Sequence, residues 1–179
     1  MSNPGPTAPT GTSPSTVQIW LIVGLFALQL VASAVYLASV DLSGYFQLAM
    51  DASTPSSDTA ADSDAILALY GQLFTPSYFV LLALSFVAYA GTVVLAYFDY
   101  RTLLARGVPS PFSWALAFIP SYGSLVYLIG RSVVVRRRTG SGLAPLWVYV
   151  GLFVFGLVGS LIWSFWLVAD LISELSQFS

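Results

Sequence analysis

The chain of 179 residues has no cysteine and no histidine, and all six of its cations are arginine, so lysine is missing too. Without cysteine there is no disulfide, no thiol nucleophile and no thiolate-ligated metal, and the redox compartment leaves no mark. Missing histidine removes the commonest general base and metal ligand, and missing lysine removes the Schiff-base nucleophile. Charge of either sign is scarce, at 8% of residues against roughly 25% in ordinary soluble domains. What fills the chain instead is apolar: 57% hydrophobic residues and a mean hydropathy of +0.82, the composition of an integral membrane protein.

The few charges are unevenly placed. Every arginine (Arg101, Arg106, Arg131, Arg136, Arg137 and Arg138) falls between positions 101 and 138, while the acids lie mostly in 41–64 and near the C-terminus. Residues 1–16, rich in Pro, Ser, Thr and Gly, read as a disordered tail ahead of a single transmembrane helical domain over 17–175. Residues 17–40 are uncharged and about 36 Å long as a helix, enough for a first span. A cleavable signal peptide is the rival reading, but no cation precedes the run and the run is long for one.

Residues 41–64 read as an acidic extracytoplasmic loop with a flexible polar middle, 51–64. Ile66, Leu69, Tyr70, Leu73 and Phe74 then recur at helical spacing, which predicts a short helix resting on the membrane surface or packed against the spans. A ligand lid is the alternative there. Pro76 limits it, and 77–98 follows as a second span, with Asp99 and Arg101 marking its exit. The last span is 146–169. Trp147 and Trp166 are about 28 Å apart along it, so their indoles fit the two interfacial belts of one bilayer.

The segment 111–135 decides the architecture. As a conventional span it makes four in all and splits the arginines two against four across the membrane. As a re-entrant or interfacial helical hairpin, turning at Pro120-Ser121-Tyr122-Gly123, it leaves all six arginines on the cytoplasmic face, where basic residues belong. Proline breaks the helix and Gly123 is expected to accept positive φ. The fold class is therefore an all-α membrane protein, a small helical bundle of three spans plus a hairpin, with four conventional spans as the alternative.

In lipid, helices meet through small residues and a few polar contacts. Ala88, Thr92 and Ala96 on the second span and Gly156, Ser160 and Ser164 on the last form stripes suited to helix packing, and Gln29 is the polar side chain in the middle of the first. Catalytic chemistry finds no constellation. Gly140-Ser141-Gly142 lacks a histidine to activate its serine, and Asp99 lacks the second aspartate of an intramembrane aspartyl protease. There is no phosphate loop and no acidic cluster inside a span to hold a divalent metal. No cofactor is expected. Arg131, Arg136, Arg137 and Arg138 are the candidate contact for anionic lipid headgroups or a partner protein, since arginine forks onto phosphate oxygens. The patch is too small and too close to the bilayer for nucleic acid.

FDYRTLLARGVPSPFSWALAF and VYLIGRSVVVRRRTGSGLAPLW carry a D-x-R-x-L stretch, a PF-x-W segment and a VY-x-IGRSVVVRRRTG segment. Over about Phe98 to Trp147 the chain thereby resembles a group of small actinobacterial integral membrane proteins of uncharacterised activity. Members commonly carry a Trp-rich N-terminal module, which this chain lacks. The resemblance implies a bacterial plasma membrane and a cytoplasmic tail, and brings no activity with it. The expectation is a multi-pass, non-enzymatic membrane protein with its N-terminus in the cytoplasm. Membrane lipid is the expected partner, with a homo-oligomer or another membrane protein as further possibilities. A transport or channel component using Gln29 and the small-residue stripes is the alternative.

Overall fold

Three long helices dominate a chain that is all-helical, with no strand among the described residues. The computed structural model describes residues 15–40, 42–53, 59–108, 110–120 and 122–177. Most of the predicted tail, part of the acidic loop and Ser121 of the predicted turn lie outside them. The helices are α1 (Val17–Ser39), α2 (Leu42–Ser53), α3 (Thr59–Leu73), α4 (Pro76–Ala105), α5 (Gly123–Thr139) and α6 (Ala144–Gln177), with a 3₁₀ turn at Trp114–Phe118. Of these, α1, α4 and residues 144–170 of α6 are long and apolar enough to cross a membrane.

Local sequence sets the helix ends. The Thr75 hydroxyl accepts the Tyr78 N–H at 3.3 Å, with Pro76 in the first helical position where its missing N–H costs nothing. At the other end of α4, Gly107 (φ 74°) allows Gly107 N–H to reach Leu104 O and Val108 N–H to reach Leu103 O, a Schellman stop. Val108 packs with Leu103 beneath it, the apolar contact that motif favours. Helix α5 ends on Gly140 (φ 80°), whose N–H reaches Arg136 O.

The second apolar helix therefore runs past its predicted exit, and Asp99 is inside the protein, not at a wet edge. The predicted loop middle is also corrected: residues 51–53 end α2 and 59–64 begin α3. Thr59-Ala-Ala-Asp-Ser-Asp-Ala offers three alanines, the residue with the highest helix propensity.

The chain forms two compact units, residues 1–29 with 86–157 and residues 30–85 with 158–179, and α1, α4 and α6 each contribute a part to both. In the first, Ile19, Ile22 and Val23 of α1, Val93 and Ala96 of α4, Tyr127 and Leu128 of α5, and Tyr149 of α6 share one core. Phe26 stacks on Tyr149 at 4.2 Å, and the Ser124 and Tyr149 hydroxyls are 2.9 Å apart. In the second, α2 packs on α3, and Tyr70, Phe74, Tyr78 and Phe79 form a run of ring contacts from α3 into α4.

Between α4 and α5 the chain folds back on itself. A Cβ on Gly130 would collide with the Phe112 ring, and one on Gly123 would collide with the Ala117 carbonyl. Residues 112–117 thus descend beside α5, which ascends from 123 to 130. Gly123 is needed for that close approach; the positive φ expected of it is found at Gly107, Gly140 and Gly142 instead. The first arm is not the α-helix that nine residues from Pro111 would allow: 111–113 carry no helix, and the five residues after them are 3₁₀. Val135 packs with Leu103 and Val108, so α5 leaves the hairpin alongside the end of α4 from which the chain entered it. A continuous fourth span over Pro111–Gly130 would have separated those residues by its whole length.

Candidate functional site

Two features of the first unit bear on function: a buried charge cluster and an exposed turn of arginines. The cluster is built by the parallel course of α4 and α5. Asp99 and Arg131, 32 positions apart, are both fully buried and meet with Arg131 Nε 2.9 Å from Asp99 Oδ2 and Nη2 3.3 Å from Oδ1. Tyr127, one turn before Arg131, donates its hydroxyl to Asp99 Oδ2 at 2.7 Å, and the same hydroxyl lies 3.1 Å from the Ala96 carbonyl oxygen. Burial first, and the Asp99 charge second, push that hydroxyl far above its ordinary pKa, so it stays a proton donor.

The stretch before α1 closes the cluster. Thr16, 2% exposed, donates its hydroxyl to Asp99 Oδ1 and accepts from Arg131 Nη2 at 3.2 Å. Arg106 Nη1 donates to Ser15 O at 2.9 Å, and Gln18 Nε2 to Thr102 Oγ1 at 3.4 Å. Ser15 and Thr16, expected in a disordered tail, are therefore fastened to the end of α4. The carboxylate receives Arg131, Tyr127 and Thr16 together, which is what keeps a charge tolerable out of water. A buried ion pair in a membrane protein commonly marks a functional or register-setting position.

Arg131 is accordingly removed from the predicted headgroup patch: it is wholly inside and committed to Asp99. The other three candidates occupy the last turn of α5, with Arg136 and Arg137 exposed and Arg138 half-buried. There their charge complements the negative end of the helix dipole, an effect that salt and solvent screen at exposed positions. Arg101 lies 5.9 Å from the centre of the Tyr97 ring. Of the packing candidates, Ala96 and Thr92 are buried and Ala88 half-buried in α4; Gly156 is half-buried, while Ser160 and Ser164 are exposed on α6, Ser164 donating to the Ser160 carbonyl at 2.8 Å. Gln29 is half-buried in α1.

Sequence reasoning missed the Asp99–Arg131 pair, although one signal was present. Asp99 is the sole acid in the arginine-bearing stretch, and a hairpin over 111–135 brings the two flanks together. Among the described residues no group of three or more His, Cys, Asp or Glu side chains is placed to hold a metal. Compared with known proteins, the chain matches no protein-family model, no curated protein and no solved structure.

Proposed function

We propose that the protein is a non-enzymatic, multi-pass protein of a bacterial plasma membrane whose arginine-bearing end faces the cytoplasm and binds anionic lipid headgroups through Arg136, Arg137 and Arg138. The observation that carries this reading is the gathering of all six arginines in one unit, three of them in one helical turn with Arg136 and Arg137 exposed. Each cation near an anionic leaflet contributes about 1 kcal/mol of attraction, and cations are retained on the cytoplasmic side. The N-terminus belongs on the same side, because Ser15 and Thr16 contact Arg106 and Arg131. The hairpin belongs to that face as well. Its resemblance to small actinobacterial membrane proteins supports the choice of membrane.

The test uses the purified full-length protein in a neutral detergent. Adding phosphatidylglycerol, and not phosphatidylcholine, is expected to raise its melting temperature, and the combined substitutions Arg136→Gln, Arg137→Gln and Arg138→Gln to abolish that difference. If the triple variant kept its preference for the anionic lipid and changed only its orientation in cells, the arginines would be topology anchors and the lipid reading would fail. Ion flux through liposomes carrying the wild-type chain would replace it with the transport reading.

A further inference from the structure

We infer that the tip of the hairpin, residues 116–120 and 122, is inserted among the acyl chains of the leaflet nearest the arginines, as a lipid-facing wedge that stops short of the bilayer midplane. The inference does not depend on headgroup binding by the arginines. Its first support is depth. Tyr89 of α4 donates its hydroxyl to the Phe118 carbonyl at 2.7 Å. Tyr89 precedes Asp99 by ten residues, so the tip is level with a point about 15 Å back along α4 from the charge cluster, inside the apolar run of a spanning helix.

An aromatic belt locates the membrane edge in the same unit. Trp114 meets Tyr97 at 5.2 Å between ring centres, two residues before Asp99. Trp20 follows Thr16 by four residues, which ties it to the same end of the unit. From Tyr97 to the start of α4 at Pro76 is about 32 Å of helix, and from Trp20 to the end of α1 about 28 Å. Each agrees with a hydrocarbon core of about 30 Å. Tyr and Trp favour this boundary because their rings are apolar at one end and wet at the other. Tyr89 is eight residues, about 12 Å, inward of Tyr97, which places the tip below the boundary and above the midplane.

The chemistry of the tip suits that depth. Leu116, Phe118, Ile119 and Tyr122 are 36%, 52%, 38% and 63% exposed, so these four side chains face outward and are mainly apolar, while Ala117 turns into the core. Backbone at membrane depth must find partners within the protein. Among the described residues, Ile119 N–H reaches Leu116 O, Tyr122 N–H reaches Pro120 O, Gly123 N–H reaches Ile119 O, and Phe118 O accepts from Tyr89. Tyr89, which holds the tip, is itself exposed on α4, as is Phe86 one turn before it. Acyl chains are the occupant that this depth and apolar exposure select.

The absence of cysteine makes the test direct. Ile119→Cys, Tyr122→Cys and Ser141→Cys, one at a time, are labelled with an environment-sensitive nitrobenzoxadiazole in the full-length protein and reconstituted into phosphatidylcholine vesicles. The vesicles contain lipid with a nitroxide at the headgroup or midway down the chain. Both tip labels are expected to lose more emission to the chain nitroxide than to the headgroup nitroxide, and the Ser141 label to show the reverse. Stronger quenching of both tip labels by the headgroup nitroxide would overturn the inference in favour of a hairpin lying on the surface. Bleaching of the tip labels by impermeant dithionite from the side opposite the Ser141 label would overturn it in favour of a crossing segment. Tip labels shielded from both nitroxides, with pyrene excimers forming between labelled copies, would assign the surface to a second copy of the chain. Both tip side chains are exposed and the Tyr89 bond uses backbone, so these substitutions leave the fold in place.

Discussion

The two units differ most in charge. Residues 1–29 and 86–157 contain all six arginines and a single acid, Asp99, for a formal charge of +5; residues 30–85 and 158–179 contain seven acids and no cation, for −7. They differ in construction as well. The first unit tucks its one acid inside and ties α5 and the stretch before α1 to it, whereas the second has no buried ion pair among its described residues and relies on ring contacts along Tyr70, Phe74, Tyr78 and Phe79. Charge in this protein is thus used twice, as an internal fastening in one place and as surface asymmetry everywhere else.

Breaking the internal fastening is expected to have the largest effect. Asp99→Asn or Arg131→Leu leaves one buried charge without its counterion and should cost about 3–5 kcal/mol, read as a fall in the detergent melting temperature. Asp99→Leu combined with Arg131→Leu should recover most of that loss, since two apolar side chains need no partners. A double variant no more stable than the singles would show that the pair sets the register of α5 against α4 and does more than cancel its own desolvation.

Glycine contrasts the packing of the units at smaller cost. Gly130→Ala puts a methyl group into the Phe112 ring and should destabilise by about 1–3 kcal/mol. Gly71→Ala and Gly159→Ala in the second unit meet nothing within 4 Å and should gain about 0.5–1 kcal/mol from helix propensity. Equal melting temperatures for all three would deny that the hairpin is closely packed. Thr16→Val, which removes one of several partners of the Asp99 carboxylate, should cost about 1 kcal/mol. Its second readout is faster proteolysis of the N-terminal segment in sealed vesicles that expose this face.

The surface charges are expected to matter least for stability. The triple Arg136, Arg137, Arg138 to Gln variant should melt within about 0.5 kcal/mol of wild type, because exposed charges contribute little to the fold. Its effect should appear in orientation. In intact cells, cysteines at Met50 and Ser176 should react with an impermeant maleimide and one at Ser141 should not. The triple variant should blur that pattern, and an unchanged pattern would separate lipid contact from topology.

The spans were legible because an uncharged run of about 20 residues has few alternatives and because Pro76 marks a boundary in the local sequence, whereas the stops at Gly107 and Gly140 were not read from it. The chain reversal at 111–135 was favoured by charge, since a returning segment keeps all six arginines on one face, but four conventional spans stayed open beside it. Three things were hidden. The partnership of Asp99 with Arg131 depends on how two helices are phased side by side, which neither helix records by itself. The role of Thr16 depends on contacts 83 and 115 residues away. The helical character of 59–64 was masked by its polarity, which resembles a loop until the alanines are weighed. Arg131 was misplaced for a related reason: in sequence it is one of four basic residues on a short helix, and only burial tells it from Arg136, Arg137 and Arg138.

Thr16 has a consequence for how the chain is made. Its two side-chain partners are encoded 83 and 115 positions later, so α1 enters the bilayer long before the groups that will fasten its leading end exist. Until Arg131 has been synthesised, Asp99 lacks its counterion, and the first spanning helix is held by length and hydropathy alone. Assembly of this end of the protein is therefore completed from the middle of the chain backwards: emergence of α5 is the event that neutralises α4 and, through it, retrieves Thr16.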